Sequence, residues 1–154
     1  MDIRPVTPAD HAAILKIADA LPDWFAPAAR PGFAGDLKRL RGYVTLEDDL
    51  VGFLSFALRD GVAHVLYVGV LPERQRVGVG RALVNWLEFH MREEGALALE
   101  AVTPGYGIER DPYLRSRWFF QSCGFEHLRV EPSGNPDCPE SLVLRMDLSG
   151  EQAS

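Results

Sequence analysis

Between residues 75 and 80 the chain reads Gln75-Arg76-Val77-Gly78-Val79-Gly80, just ahead of a segment whose apolar residues, Leu83, Val84, Leu87 and Met91, recur at helical spacing. The first-turn N–H groups of a helix have no internal acceptors, the helix dipole adds positive potential, and glycines let a ligand come close to the backbone. A glycine-bearing turn that feeds such a helix is therefore a cradle for an anion. The spacing narrows which anion. A nucleoside-triphosphate loop would close on Gly-Lys-Ser or Gly-Lys-Thr, whereas Gly80 is followed by Arg81-Ala82. A dinucleotide fingerprint would place glycine or alanine at 83, where Leu83 stands, and its first glycine directly after a strand. Glu100 imitates the ribose-binding acid of that fingerprint only weakly.

The elements that must hold this segment follow from periodicity and punctuation. Residues 3–6 form a short apolar run, and Thr7-Pro8-Ala9-Asp10 reads as a helix start ahead of Ile14, Ile17, Ala18 and Leu21. Pro22 ends that helix. Residues 23–33 read as irregular, with Trp24, Phe25 and Phe33 interleaved, before a brief helix with Leu37 and Leu40 that stops at Gly42. Three strands come next, 43–47, 50–58 and 62–71, with Asp60-Gly61 as a two-residue hairpin signal. The helix after Gly80 stops at Gly95. Residues 96–102 form a strand, 103–111 a polar loop, and 112–122 a helix closed by Cys123-Gly124-Phe125. Residues 125–130 and 141–148 pair as the last strands across a Pro/Gly-rich loop. The order β-α-α-β-β-β-α-β-α-β-β predicts an α/β (α+β) fold, a mixed sheet of about seven strands flanked by about four helices.

Composition sets the frame. With 154 residues, 47% apolar and 25% charged, the chain suits one soluble domain over 1–148 with a frayed tail at 149–154. Twenty-two acidic residues against sixteen basic ones, net −6, exclude a broad nucleic-acid footprint, so an anionic ligand needs a local positive site. Cys123 and Cys138 form no CxxC pair and have no zinc-type spacing, so no metal is expected and a reducing cytoplasm fits. The first ten residues lack a signal-peptide pattern and no apolar run approaches a membrane span, so a cytoplasmic location without a membrane partner is expected.

The stretch from Val68-Gly69-Val70-Leu71-Pro72 through Gln75-Arg76-Val77-Gly78-Val79-Gly80 resembles motif A of the GNAT superfamily of acyl-CoA-dependent N-acetyltransferases, and the element order matches over almost the whole chain. Phe119-Phe120-Gln121-Ser122-Cys123-Gly124-Phe125 is similar to the second motif of that family. Bacterial members offer a less specific likeness at Trp24-Phe25, at Tyr113 through Arg117 to Phe119, and at Asn135-Pro136-Asp137-Cys138. The resemblance implies acetyl-CoA as co-substrate, with its pyrophosphate on the backbone N–H groups of Arg76, Val77, Gly78, Val79, Gly80 and Arg81. Its pantetheine arm would run along Val68, Gly69 and Val70, near Phe119, and the N–H of Val70 would hold the thioester oxygen. Such a donor strengthens as the oxygen gains charge. The acceptor implied is a primary amine of a small molecule or peptide, and a homodimer is compatible with the likeness.

The amine must lose a proton before it attacks. Eleven positions before Gln75, where several members of the family carry a catalytic Glu, this chain has His64, whose imidazole titrates in the useful range; the other reading is an ordinary strand histidine. Glu100 is the second candidate base. The family's thiolate-protonating tyrosine is replaced by Phe120, which leaves Tyr113, a water, or departure of the free thiolate. A non-catalytic acyl-CoA-binding sensor or interaction module is the alternative that this departure motivates. Trp24, Phe25 and Phe33 either line an acceptor pocket or cap the core. Tyr67 and Tyr106 either rim a pocket or pack, and Arg115 and Arg117 either meet an anion or are solvated helix charges. Cys123 has no base partner in view and reads as a small buried hydrophobe.

Overall fold

Asp60 and Gly61 both adopt positive φ, 52° and 81°, the conformation a tight two-residue hairpin requires, and the residues on either side form strands. The computed structural model describes residues 1–104, 113–136 and 138–148. Along the chain these build β1 (Asp2–Pro5), α1 (His11–Asp19), α2 (Arg30–Leu37), β2 (Arg41–Leu46), β3 (Leu50–Arg59), β4 (Val62–Val70), α3 (Val79–Glu94), β5 (Ala98–Pro104), α4 (Tyr113–Ser122), β6 (Glu126–Asn135) and β7 (Cys138–Asp147). The strand order is β1-β2-β3-β4-β5-β7-β6. The β4–β5 step is parallel while the steps β1–β2, β2–β3, β5–β7 and β7–β6 are antiparallel, so the sheet is mixed, in agreement with the element order.

The chain divides into two units, one of Met1–Ala57 with Leu66–Leu87 and one of Leu58–Val65 with Glu88–Ser154. In the first, Ile14, Ile17, Ala18 and Leu21 of the α1 region pack with Phe33, Leu37, Val44 and Phe53. The entry to α1 is fixed by charge: Arg4 donates two hydrogen bonds of 2.8 Å to the buried Asp10 carboxylate, which also accepts the Thr7 backbone N–H at 2.8 Å. Those donors, Arg4 first, hold the Asp10 carboxyl down at about 2. α2 differs from the sequence expectation. It starts at Arg30, so Phe33 lies inside it, and it ends at Leu37 rather than running past Leu40. Pro31 sits in its first turn, where a missing N–H costs nothing.

In the second unit β5 pairs with β7 from Ala98↔Asp147 to Pro104↔Ser141, and β7 pairs in turn with β6. The Pro/Gly-rich loop expected between residues 130 and 141 is instead largely strand. Pro132 is accommodated on an edge strand, with irregular register between His127 and Arg129 and between Pro132 and Asn135. Gly95 and Gly124, at φ +82° and +102°, end α3 and α4 where the sequence placed the stops. Among the described residues no helix is long and apolar enough to cross a membrane, and no group of three or more His, Cys, Asp or Glu is arranged to hold a metal. The tail at 149–154 and most of the loop at 103–111 lie outside the described residues.

Candidate active site

Pro72 stops β4 and opens one 3-10 turn, Pro72–Arg74, after which the chain bends into α3. Two side chains pin this bend. The Gln75 amide donates to the Val70 carbonyl at 3.0 Å, and Arg74 pairs with Glu47. The Leu71 N–H, donating to the Val51 carbonyl at 2.9 Å, ties the end of the strand to β3. Between them the backbone takes positive φ at Arg76 (66°) and at Gly78 (93°). Left-handed residues alternating with ordinary ones turn successive N–H groups to one side, the geometry of an anion nest. Ala82 donates to the Gly78 carbonyl at 2.9 Å, so the N–H groups of Val79, Gly80 and Arg81 precede the first helical bond. A Cβ placed on Gly78 would meet no described atom within 4 Å, so the glycine answers to its backbone angle and leaves the turn open on that side. The residues thus suit the diphosphate of a nucleotide-type co-substrate.

Of the other expected binding residues of this unit, Gly69 answers to packing. A Cβ at Gly69 would come within 2.5 Å of the Phe53 ring, and one at Gly52 within 2.9 Å of Val79. Val68 and Val70 are half-buried, Arg76, Val77 and Arg81 are exposed, and Val79 is buried. With the Val70 carbonyl engaged by Gln75, its orientation at the strand end is set. Phe33 is a core residue, and Phe25 packs against it with ring centroids 5.0 Å apart; Tyr67 meets Phe33 edge-on at 4.6 Å. Tyr67 donates to Asp36 at 2.7 Å. Burial, then Asp36, pushes its phenol up to about 12, so Tyr67 is a packed latch on α2 rather than a titrating group. Trp24, 36% exposed, stays at the surface.

The second unit brings together the two candidate bases. His64 lies opposite Glu100 in the parallel ladder, with Nδ1 4.0 Å from Oε1. Burial first and Arg59 second lower the His64 pKa from its ordinary 6.5, against Glu100 and Asp60, so the imidazole is neutral near neutrality, as a proton acceptor must be. Glu100 is buried, and Arg145 donates to its Oε2 at 2.7 Å. Sequence reasoning named both bases but missed Arg145, which no spacing rule connects to Glu100. Phe120, where a tyrosine was expected, packs edge-on against Phe119 at 5.1 Å and Phe125 at 5.3 Å. Phe119, expected beside the co-substrate, is half-buried in this aromatic trio. Tyr113 opens α4; its side chain, like Tyr106, lies outside the described residues. Arg117 is 5% exposed, which corrects its reading as a solvated helix charge.

Residues 14–125 match the family model described as acetyltransferase (GNAT) family. No curated protein matches the chain in sequence. Among solved structures it is similar to a GNAT-family protein from Desulfovibrio desulfuricans, with a TM-score of 0.84 and 20% identity over 96% of this chain and 99% of that one. It is similar also to the ribosomal-protein-S18-alanine N-acetyltransferase of Escherichia coli, TM-score 0.71 and 18% identity over 99% and 98% of the two chains. An aminoglycoside 6′-N-acetyltransferase complexed with coenzyme A gives a TM-score of 0.76 and 16% identity over 99% of this chain and all of that one.

Proposed function

Because the chain belongs to the acetyltransferase (GNAT) family, its reaction class is acetyl transfer, and we propose that it moves the acetyl group of acetyl-CoA directly to a primary amine of a small molecule or peptide, as one domain over 1–148. The observation that carries the ligand reading is the open, positive-φ turn at Arg76 and Gly78 before the first helical bond of α3. When bound, acetyl-CoA supplies an acyl group on a sulfur that can depart with its electron pair. The chain's residues do the rest. Backbone N–H groups of 76–81 hold the diphosphate, and the N–H of Val70, in the strand end whose carbonyl Gln75 engages, takes the acyl oxygen.

His64 is the base in this reading. Of the two protons that an ammonium acceptor sheds as its nitrogen bonds the acyl carbon, one goes to Nε2 of His64 and the other leaves with the thiol. Direct transfer is favoured because Cys123 has no base beside it in sequence to activate it. Glu100 is the weaker base candidate, since one of its oxygens is occupied by Arg145.

The test is thermal unfolding with acetyl-CoA, CoA and NAD in parallel, since a ligand that binds only the folded state at 100 times its Kd stabilises by about 2.7 kcal/mol. A shift with the CoA species alone supports the reading, and a larger one with NAD removes it. Thiol release is then followed with an aminoglycoside and an alanine-initiated peptide in the amine panel, the acceptor types named for the structural neighbours. Phe120, packed in an aromatic trio with no proton to give, favours one second reading, an acyl-CoA sensor. CoA binding without thiol release across the panel, unaltered by His64→Ala, would establish that reading instead.

A further inference from the structure

The register sets His64, Glu100 and Arg145 directly opposite one another on β4, β5 and β7. Residues paired in this way project from the same face of a sheet, so the three side chains form a row across three strands. Arg145 spans two carboxylates. Its Nε donates to Asp147 at 2.8 Å and a terminal nitrogen donates to Oε2 of Glu100 at 2.7 Å. The Asp147 side chain is 73% exposed and that of Glu100 is 9% exposed, so the guanidinium anchors a buried carboxylate to one in solvent. The free oxygen, Oε1, is then the one facing Nδ1 of His64, at 4.0 Å. That separation is too long for a hydrogen bond but well within the range over which a buried charge is felt.

We propose that Glu100 and Arg145 are positioning residues for His64: Arg145 fixes the Glu100 carboxylate so that its charge favours the proton on Nδ1 and leaves the Nε2 lone pair to receive the proton of the acceptor amine. The proposal rests on the reading of His64 as the base. The chemistry requires both partners of the pair. A carboxylate beside Nδ1 selects the tautomer and steadies the imidazolium formed in the reaction. Left without its arginine, the same buried carboxylate would hold that proton too firmly for a base that has to release it each turnover. Among the described residues, the other charges near the row are Arg59 at the end of β3, Asp60 in the hairpin turn, Asp147 behind Arg145, and Glu126 of β6, which lies opposite Arg145. Arg59 acts against protonation of His64, and Asp60 acts with Glu100 in its favour.

The experiment follows the His64 imidazole by NMR in the full chain, with its signals assigned by His64→Gln, so that titration and tautomer are read without any ligand. In Arg145→Gln the titration midpoint of His64 moves up, because the charge that offsets Glu100 is gone. In the near-isosteric Glu100→Gln it moves down and the preference for Nδ1–H is lost; this variant also serves if Arg145→Gln does not fold. With acetyl-CoA and the acceptor amine, Arg145→Gln lowers kcat about tenfold with KM nearly unchanged, a smaller loss than removal of a general base, and Arg145→Lys recovers part of it. The acidic limb of the kcat profile moves with the NMR midpoint. A His64 titration and tautomer unchanged in both folded variants overturn the coupling, even where the wild-type profile follows His64. A wild-type profile that does not follow the His64 titration refutes the base assignment instead, and the positioning role falls with it.

Discussion

Gly78→Ala separates the two demands placed on the turn before α3. At φ +93° an L-residue is strained, and the left-handed region costs a residue with a Cβ about 1–2 kcal/mol. The added methyl meets no protein atom within 4 Å, so no steric term adds to that cost in the free protein. For a domain of this size 1 kcal/mol corresponds to about 2–4 °C in Tm, so the variant should melt about 2–8 °C lower. If the turn holds the diphosphate as proposed, the methyl intrudes on it, and a tenfold loss of affinity would cut the stabilisation at 100 times the wild-type Kd from about 2.7 to about 1.4 kcal/mol. Gly95→Ala is the internal control. Gly95 has φ +82° with equally open surroundings, at the other end of α3, so it should lose comparable stability and keep the full CoA-induced shift. Differential scanning fluorimetry with and without CoA reads both quantities. A Gly78→Ala protein that keeps the whole CoA shift refutes the cradle, and one as stable as wild type refutes the backbone argument.

Asp10 gives a pH signature. Its carboxyl is lowered from 3.8 to about 2 by Arg4 and Thr7, so its stabilisation is complete above about pH 4 and disappears as pH falls through 2; discounted for the half-exposed Arg4, it amounts to about 1–2 kcal/mol. Urea midpoints measured between pH 2 and 5 should fall in wild type, and less steeply in Asp10→Asn. Tyr67→Phe removes the donor that does most to hold the Asp36 carboxyl low and should cost about 1 kcal/mol in urea unfolding; in wild type the Tyr67 phenolate absorbance should stay absent at pH 11, since the phenol is pushed up to about 12. Phe120→Tyr should raise kcat if the departing thiolate lacks an acid, and an unchanged kcat would show that Tyr113, a water or departure of the free thiolate already suffices.

The parts of the site legible in the sequence are those built from consecutive residues. Glycine positions and helical spacing placed the turn at 75–80, because a helix start is written locally in its first turn. His64 and Glu100 were each found singly, but their pairing depends on a parallel register between strands that only the assembled sheet decides. Arg145 stayed out of view for the same reason, since 45 residues separate it from Glu100. The positive φ of Arg76 has no sequence mark, because non-glycine residues seldom take it. Pro132 and Gly134 read as loop punctuation, yet an edge strand lacks a ladder partner on one side and so absorbs both through irregular register. Of the two readings of Arg117, an anion contact or a solvated helix charge, burial removes the second; helical spacing alone does not say which side of α4 is covered.

The close approach of Phe53 to Gly69 makes the two positions a single inherited unit. With the Phe53 ring in place, even one methyl at 69 overlaps its Cε1, so a drifting lineage has to shrink the residue at 53 before it can fill position 69. Among distant descendants of this sequence, aromatic residues at 53 should travel with glycine at 69, and alanine at 69 should appear beside an aliphatic residue at 53. Gly78 is under no such mutual constraint, since none of the described residues presses on it. Invariance at Gly69 would therefore record the shape of a neighbouring ring, whereas invariance at Gly78 would record its left-handed backbone and, in the proposed reading, the co-substrate.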